Sequence, residues 1–148
     1  MNRLILAILV YIVSITASYA NSNNNNEIDC LAKNIYFEAR NQSFIAQKAV
    51  AFVTLNRVED DKYPDDICSV VWQDKQFSWT HDGKSDIPKN LEAWAVAIIA
   101  AQEVIRNYGS IHDPTRGAVM YHTVRARPYW RNYYTVTVII EDHIFYKE

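Results

Sequence analysis

Glu38 is the first residue of the chain placed where it could do chemistry, a lone carboxylate in the stretch Asn34-Ile35-Tyr36-Phe37-Glu38-Ala39-Arg40. On a helix, residues three and four apart share a face, so Leu31 and Ile35 stand beside Glu38, with Asn34 and Gln42 one turn away. Burial there disfavours the charged form and raises the carboxyl pKa. An acid still protonated near neutral pH is the proton donor that glycosidic bond cleavage requires. The same side chain could instead be held ionised by Arg40 or Arg57, as buried carboxylates often are. The residues alone leave both readings standing.

The helix offers no second carboxylate, since Gln42 stands four residues on. Asp82 and Asp86 are the acids a loop could bring near, although loop aspartates commonly serve turns. His81, His112, His122 and His143 include no pair at helical i, i+4 spacing and no accompanying cysteine cluster, which argues against a zinc amidase or peptidase. His122 follows Tyr121 near a strand end, a suitable place to hydrogen-bond a substrate; His143 reads equally as a core histidine. Gln76 to Trp79 and Arg127 to Tyr134 are aromatic clusters around loops, able to line a sugar groove or simply to pack.

These positions need elements to hold them. Residues 28–41 read as a first helix with Asn26 as its N-cap, and a second runs from about Phe44 to Glu59 with Ile45, Ala49, Phe52, Val53 and Asn56 on one stripe. Pro64 and the aspartate pairs punctuate a loop at 60–68, while residues 69–79 are compatible with helix or strand. A second loop spans 80–90. Asn90 then caps a helix over Leu91–Asn107, whose stripe is Leu91, Trp94, Ala95, Ile98, Gln102 and Ile105, with Gly109 closing it. Beyond residue 117 the segments are short, β-branched and aromatic, as strands are.

Residues 1–20 have the layout of a cleaved secretory signal: Arg3, an apolar run from Leu4 to Val13, and small residues Ser18 and Ala20 at the cleavage site. Residues 21–27 read as a polar disordered tether and 28–148 as one domain. Without Arg3 the chain carries 14 basic against 17 acidic residues and no basic block, which excludes nucleic acid as a partner. Two cysteines in an exported chain, Cys30 and Cys68, pair most simply as a disulfide.

Taken in order, residues 30–58 (CLAKNIYFEARNQSFIAQKAVAFVTLNRV), 63–83, 93–105, 113–123, Pro128-Tyr129-Trp130 and 142–147 resemble the SleB-type cell-wall hydrolases across nearly the whole mature chain. The resemblance implies an α+β, predominantly helical, lysozyme-like domain with a small C-terminal β part. It implies action on peptidoglycan, with the glutamate of the Glu-Ala-Arg motif, here Glu38, as the catalytic acid. It departs from the family at three places: Asn41 and Ala46 stand where glycines are common, and Gln42 where a second acid is.

On that basis the expected reaction is cleavage of the β-1,4 bond between N-acetylmuramic acid and N-acetylglucosamine by a lytic transglycosylase, with hydrolysis or non-catalytic wall binding as alternatives. Gln42, Gln76, Phe77, Trp79, Tyr121 and His122 are the expected substrate-side residues. No cofactor or metal is implied. The expected partner is the glycan strand, the chain acting as an exported monomer, periplasmic or secreted, without membrane anchoring once the signal is removed.

Overall fold

The computed structural model describes residues 23–148, so the expected signal segment lies outside the described residues. Four helices and a three-stranded sheet follow one another: α1 (23–39), α2 (Phe44–Val58), α3 (Ile67–Val71), α4 (Leu91–Asn107), β1 (Met120–Thr123), β2 (Thr135–Ile140) and β3 (His143–Lys147). Short 3-10 turns at Ser78–His81 and Tyr129–Tyr133 complete it. This is the expected α+β arrangement, mostly helical with a small C-terminal sheet. Among the described residues no helix is long and apolar enough to cross a membrane.

The first helix begins earlier than the sequence suggested. Residues 23–27, read as a disordered tether, already belong to α1, and Asn26 lies inside the helix rather than capping it. Tertiary docking overrides local composition here: the Glu27 carboxylate accepts from Ile67 N at 2.9 Å, and Cys30 is bonded to Cys68 on α3. The helix is also nearly all buried along one side, with Leu31, Ala32 and Ile35 fully inaccessible.

α2 is opened by Ser43, whose hydroxyl accepts from Ala46 N, and α4 by Asn90, whose side chain accepts from Ala93 N at 3.0 Å. The buried face of α4 is Ala97, Ala100, Ala101 and Val104, not the expected stripe; Leu91 is 77% exposed. Small side chains let α4 pack closely against its neighbours, and the larger Trp94, Ile98 and Ile105 fill the flanks half-buried. Ile45, placed on the core stripe of α2, is exposed for the same reason: alanines and valines hold the packed face.

The sheet order is β1-β3-β2, antiparallel throughout. Tyr121 pairs with Phe145, so Tyr121, His143 and Phe145 share one face, and Phe145 packs with Ala49 and Val53 of α2. His122 and Tyr146 fall on the opposite face, against the turn carrying Trp130. Alternation of side chains along β1 therefore sends Tyr121 and His122 to different surroundings.

Candidate active site

Glu38 sits in the last turn of α1, half-buried where two lobes of a surface groove meet. The first lobe, about 450 Å³, is lined by Tyr36, Trp79, Asp82 and Asp86 among others. The second, about 520 Å³, is lined by Arg57, Gln76, Tyr121, His122, Trp130 and neighbouring residues. Glu38 and Ser78 border both.

The first lobe is built by tying the 80–90 loop to α1. The Tyr36 hydroxyl accepts from Lys89 N and Asn90 N at 3.1 and 3.0 Å, just where α4 begins. Asp82 turns the same loop by accepting from Lys84 N at 2.9 Å. That backbone bond, first among several influences, lowers its pKa.

The Tyr121 hydroxyl donates to Glu38 Oε2 at 2.9 Å across the groove floor. Burial raises the pKa of Glu38, with the Tyr121 hydrogen bond and the nearby charge of Arg57 opposing the rise. Tyr121 itself is pushed well above the usual phenol range, chiefly by burial, so it stays a neutral donor. Neither expected salt bridge forms: no ion pair of Glu38 occurs among the described residues. The Arg40 guanidinium lies 5.0 Å over the Tyr36 ring and donates to the Tyr36 carbonyl.

Arg57 is the residue that sequence reasoning undervalued, treated only as a possible ion-pair partner. It is 2% exposed and fixed on every side. Its Nε donates to the Val119 carbonyl at 2.7 Å, and Phe77 and Tyr63 flank it at 5.2 and 5.4 Å; with the Gln76 amide turned so that its oxygen faces the guanidinium, the orientation that pairs both groups, Nη1 and Nη2 donate to it at 3.0 Å each. A buried guanidinium stays charged even though burial lowers its pKa. Lys75, in the left-handed region at φ 60°, turns the chain just before Gln76. The available signal was an arginine in the last turn of a helix whose run Ala49–Val53 is wholly apolar.

Of the expected substrate-side residues, Gln76, Phe77, Tyr121 and His122 line the second lobe and Trp79 the first. Gln42 lines neither lobe; its backbone carbonyl accepts from Gln47 Nε2 at 3.1 Å in the turn after α1. Phe77 and Trp79 are core residues rather than open stacking platforms, only 4% and 6% exposed. Trp79 Nε1 donates to the buried Asn34 at 3.1 Å, and its ring stacks on Phe37 at 4.7 Å.

His122 has both ring nitrogens engaged. In its neutral form Nδ1 donates to the Thr123 carbonyl at 2.7 Å, which leaves Nε2 to accept from the Tyr146 hydroxyl at 2.8 Å. His143, also on the second lobe, is 1% exposed with an unpartnered Nδ1, and burial lowers its pKa, keeping it neutral. Among the described residues no group of three or more His, Cys, Asp or Glu side chains is arranged to hold a metal ion.

The model of the cell wall hydrolase family matches residues 41–146, most of the chain. The chain belongs to the cell wall hydrolase family. The matched range opens just after Glu38, so the part given to that residue rests on the groove. The spore cortex-lytic enzyme of Bacillus cereus is 30% identical over 101 residues, covering 68% of this chain and 36% of that one. Its counterpart in Halalkalibacterium halodurans is 28% identical over 98 residues, covering 66% and 27%. This family member therefore spans about a third of the length of the curated relatives it matches.

Solved structures resemble it over more of their length. The catalytic domain of the Bacillus cereus SleB protein superposes with a TM-score of 0.65 at 28% identity, covering 83% of this chain and 91% of that one. The catalytic domain of the germination-specific lytic transglycosylase SleB from Bacillus anthracis gives 0.70 at 29%, covering 82% and 94%.

Proposed function

We propose that this cell wall hydrolase is an exported glycosidase that cleaves the β-1,4 bond between N-acetylmuramic acid and N-acetylglucosamine in peptidoglycan. Residues 1–20 act as its cleaved export signal, and the domain that follows carries the catalysis. The observation supporting this most directly is the Glu38 carboxyl, raised in pKa and hydrogen-bonded by Tyr121, at the junction of two groove lobes. A strand lying across both lobes presents a glycosidic bond to the acid at their boundary.

With Tyr121 occupying Oε2, the proton is delivered from Oε1 to the leaving O4 of N-acetylglucosamine as the muramic C1–O4 bond breaks through an oxocarbenium-like state. Glu38 is then a carboxylate, stabilised by Tyr121 and by the fixed charge of Arg57. It takes the proton from the C6 hydroxyl of the same muramic residue as that oxygen bonds to C1. The product is a 1,6-anhydro end, the acid is regenerated and no water is consumed. A one-glutamate site suits this lytic transglycosylase course. The competing reading, hydrolysis, draws on Asp82 and Asp86, which line the first lobe beside Glu38 and could serve a water nucleophile.

Incubation of the purified chain with peptidoglycan, beside Glu38→Gln, tests this by mass spectrometry of released muropeptides. Products one water lighter than reducing-end muropeptides, absent with the variant, are expected. Reducing-end products would make it a hydrolase, while wall binding without release by either protein would overturn catalysis altogether.

A further inference from the structure

The arginines of the C-terminal half are unevenly placed. Between Asp113 and Glu141 there is no acidic residue, yet Arg116, Arg125, Arg127 and Arg131 all fall there, in a chain of net charge −2. Three of the four lie in the connection from β1 to β2, interleaved with Tyr129, Trp130 and Tyr133.

Tyr129 and Tyr133 are 83% and 80% exposed, unusual for rings of that size. Arg125 and Arg127 are exposed and Arg131 is half-buried. Among the described residues every ion pair uses a lysine, so none of these guanidinium groups is neutralised by a carboxylate. Arg127 braces the turn itself, its Nη1 donating to the Val124 and Ala126 carbonyls at 2.6 and 3.0 Å. The Arg125 and Arg131 side chains make no hydrogen bond among the described residues.

The same connection contributes Ala126, Pro128 and Trp130 to the wall of the second lobe. The second lobe contains Glu38 beside Arg57 and Lys75, whereas in the first Glu38, Asp82 and Asp86 are offset by Arg40, Lys84 and Lys89. An anionic substituent on a strand in the groove thus meets balanced charge in the first lobe and an excess of positive charge at the second and its rim.

We propose that the Arg125–Tyr133 turn is a docking rim for the carboxylate-bearing peptide stems of the glycan strand, so that the second lobe takes the peptide-substituted muramic residue. The inference rests on the reading of the groove as a peptidoglycan site. Stems hang from the lactyl group of muramic acid and carry free carboxylates, to which guanidinium groups donate in bidentate fashion. The exposed tyrosine rings offer flat apolar area to the stem side chains.

The test uses the full chain and an Arg125→Gln/Arg131→Gln variant, leaving Arg127 to hold the turn. Each is assayed for binding and product release on two soluble preparations of uncross-linked glycan strands, one bearing its stems and one stripped of them by an amidase. The wild type is expected to favour intact strands about three- to tenfold in KM, with little change in kcat, and to lose that preference as salt rises. The double variant should lose the preference and match the wild type on stripped strands.

Equal KM for both preparations in the wild type would overturn the proposal. So would a variant that keeps the preference or weakens equally on both. Arginine-dependent binding to vesicles of anionic phospholipid, without discrimination between the two peptidoglycans, would assign the rim to a lipid surface and overturn it too. Stem-dependent binding with no product release would support the rim while overturning the catalytic reading.

Discussion

Replacing Tyr121 by phenylalanine removes one hydroxyl and little else. The ring keeps its contacts with His143 and Phe145, whose centroids lie 5.0 and 5.6 Å away, so the β1–β3 pairing and the α2 contact survive. What is lost is the donor to Glu38 Oε2 at 2.9 Å. That bond is worth most when Glu38 is a carboxylate, the state formed as the proton leaves. A hydrogen bond to a charged group contributes about 1.5–3 kcal/mol, which corresponds to roughly a 10- to 150-fold fall in kcat. The same loss changes the pH dependence with a definite sign. Tyr121 lowers the Glu38 pKa against the dominant effect of burial, so without it the pKa rises further and the alkaline limb of activity moves to higher pH. The assay is muropeptide release measured from acid to alkaline pH for both proteins. An unchanged plateau, or an alkaline limb displaced downward, would refute the assignment of Tyr121 as the donor that stabilises ionised Glu38.

Glu38→Gln should lose about 10²–10⁴ in rate and yet melt at a higher temperature than the wild type at neutral pH. Because the folded-state pKa is raised, ionised Glu38 costs stability above that pKa, and the gain from glutamine should vanish as pH falls below the unfolded value; paired melting curves against pH check this. Gln76→Glu should give Arg57 a carboxylate of its own, weaken its pull on Glu38, slow turnover and move the alkaline limb upward, read from the same pH profile. Cys30→Ala/Cys68→Ala should lose about 4 kcal/mol in a urea melt, the loop-closure entropy of a 38-residue separation, since the bridge ties α1 to α3.

What was legible in the sequence follows the strength of local signals. Ser43 was not singled out, yet α2 was bounded closely because its apolar run is long; Asn90 capped α4 as expected. The strands were visible as β-branched runs, and the disulfide from compartment and count. Glu38 stood out because a carboxylate on an apolar helix face is uncommon. Tertiary effects were the parts that stayed hidden. Residues 23–27 fold as helix because Glu27 and Cys30 reach α3, and nothing in their asparagine-rich composition announces a partner forty residues away in sequence. Trp79 looked like a sugar-stacking residue until its indole was found on the buried Asn34. Arg57 was hidden most deeply, because its role depends on Gln76 and Val119 converging on it from distant loops.

The departures from the family pattern can now be weighed by position. An asparagine at 41 is costly only if the backbone there needs glycine's left-handed conformation, and Lys75, Arg116 and Glu141 are the non-glycine residues with positive φ; Asn41 is not among them. Ala46 lies buried in the first turn of α2, where its amide binds Ser43 and alanine is the better helix former. Gln42 lines neither lobe of the groove, so a missing acid there removes no charge from the groove's lining. The groove's own balance is set elsewhere: burial favours the acid form of Glu38, while Tyr121 and Arg57 favour its conjugate base. On the proposed mechanism Glu38 gives a proton and takes one back in each cycle, which needs both influences, and all three are present in this chain.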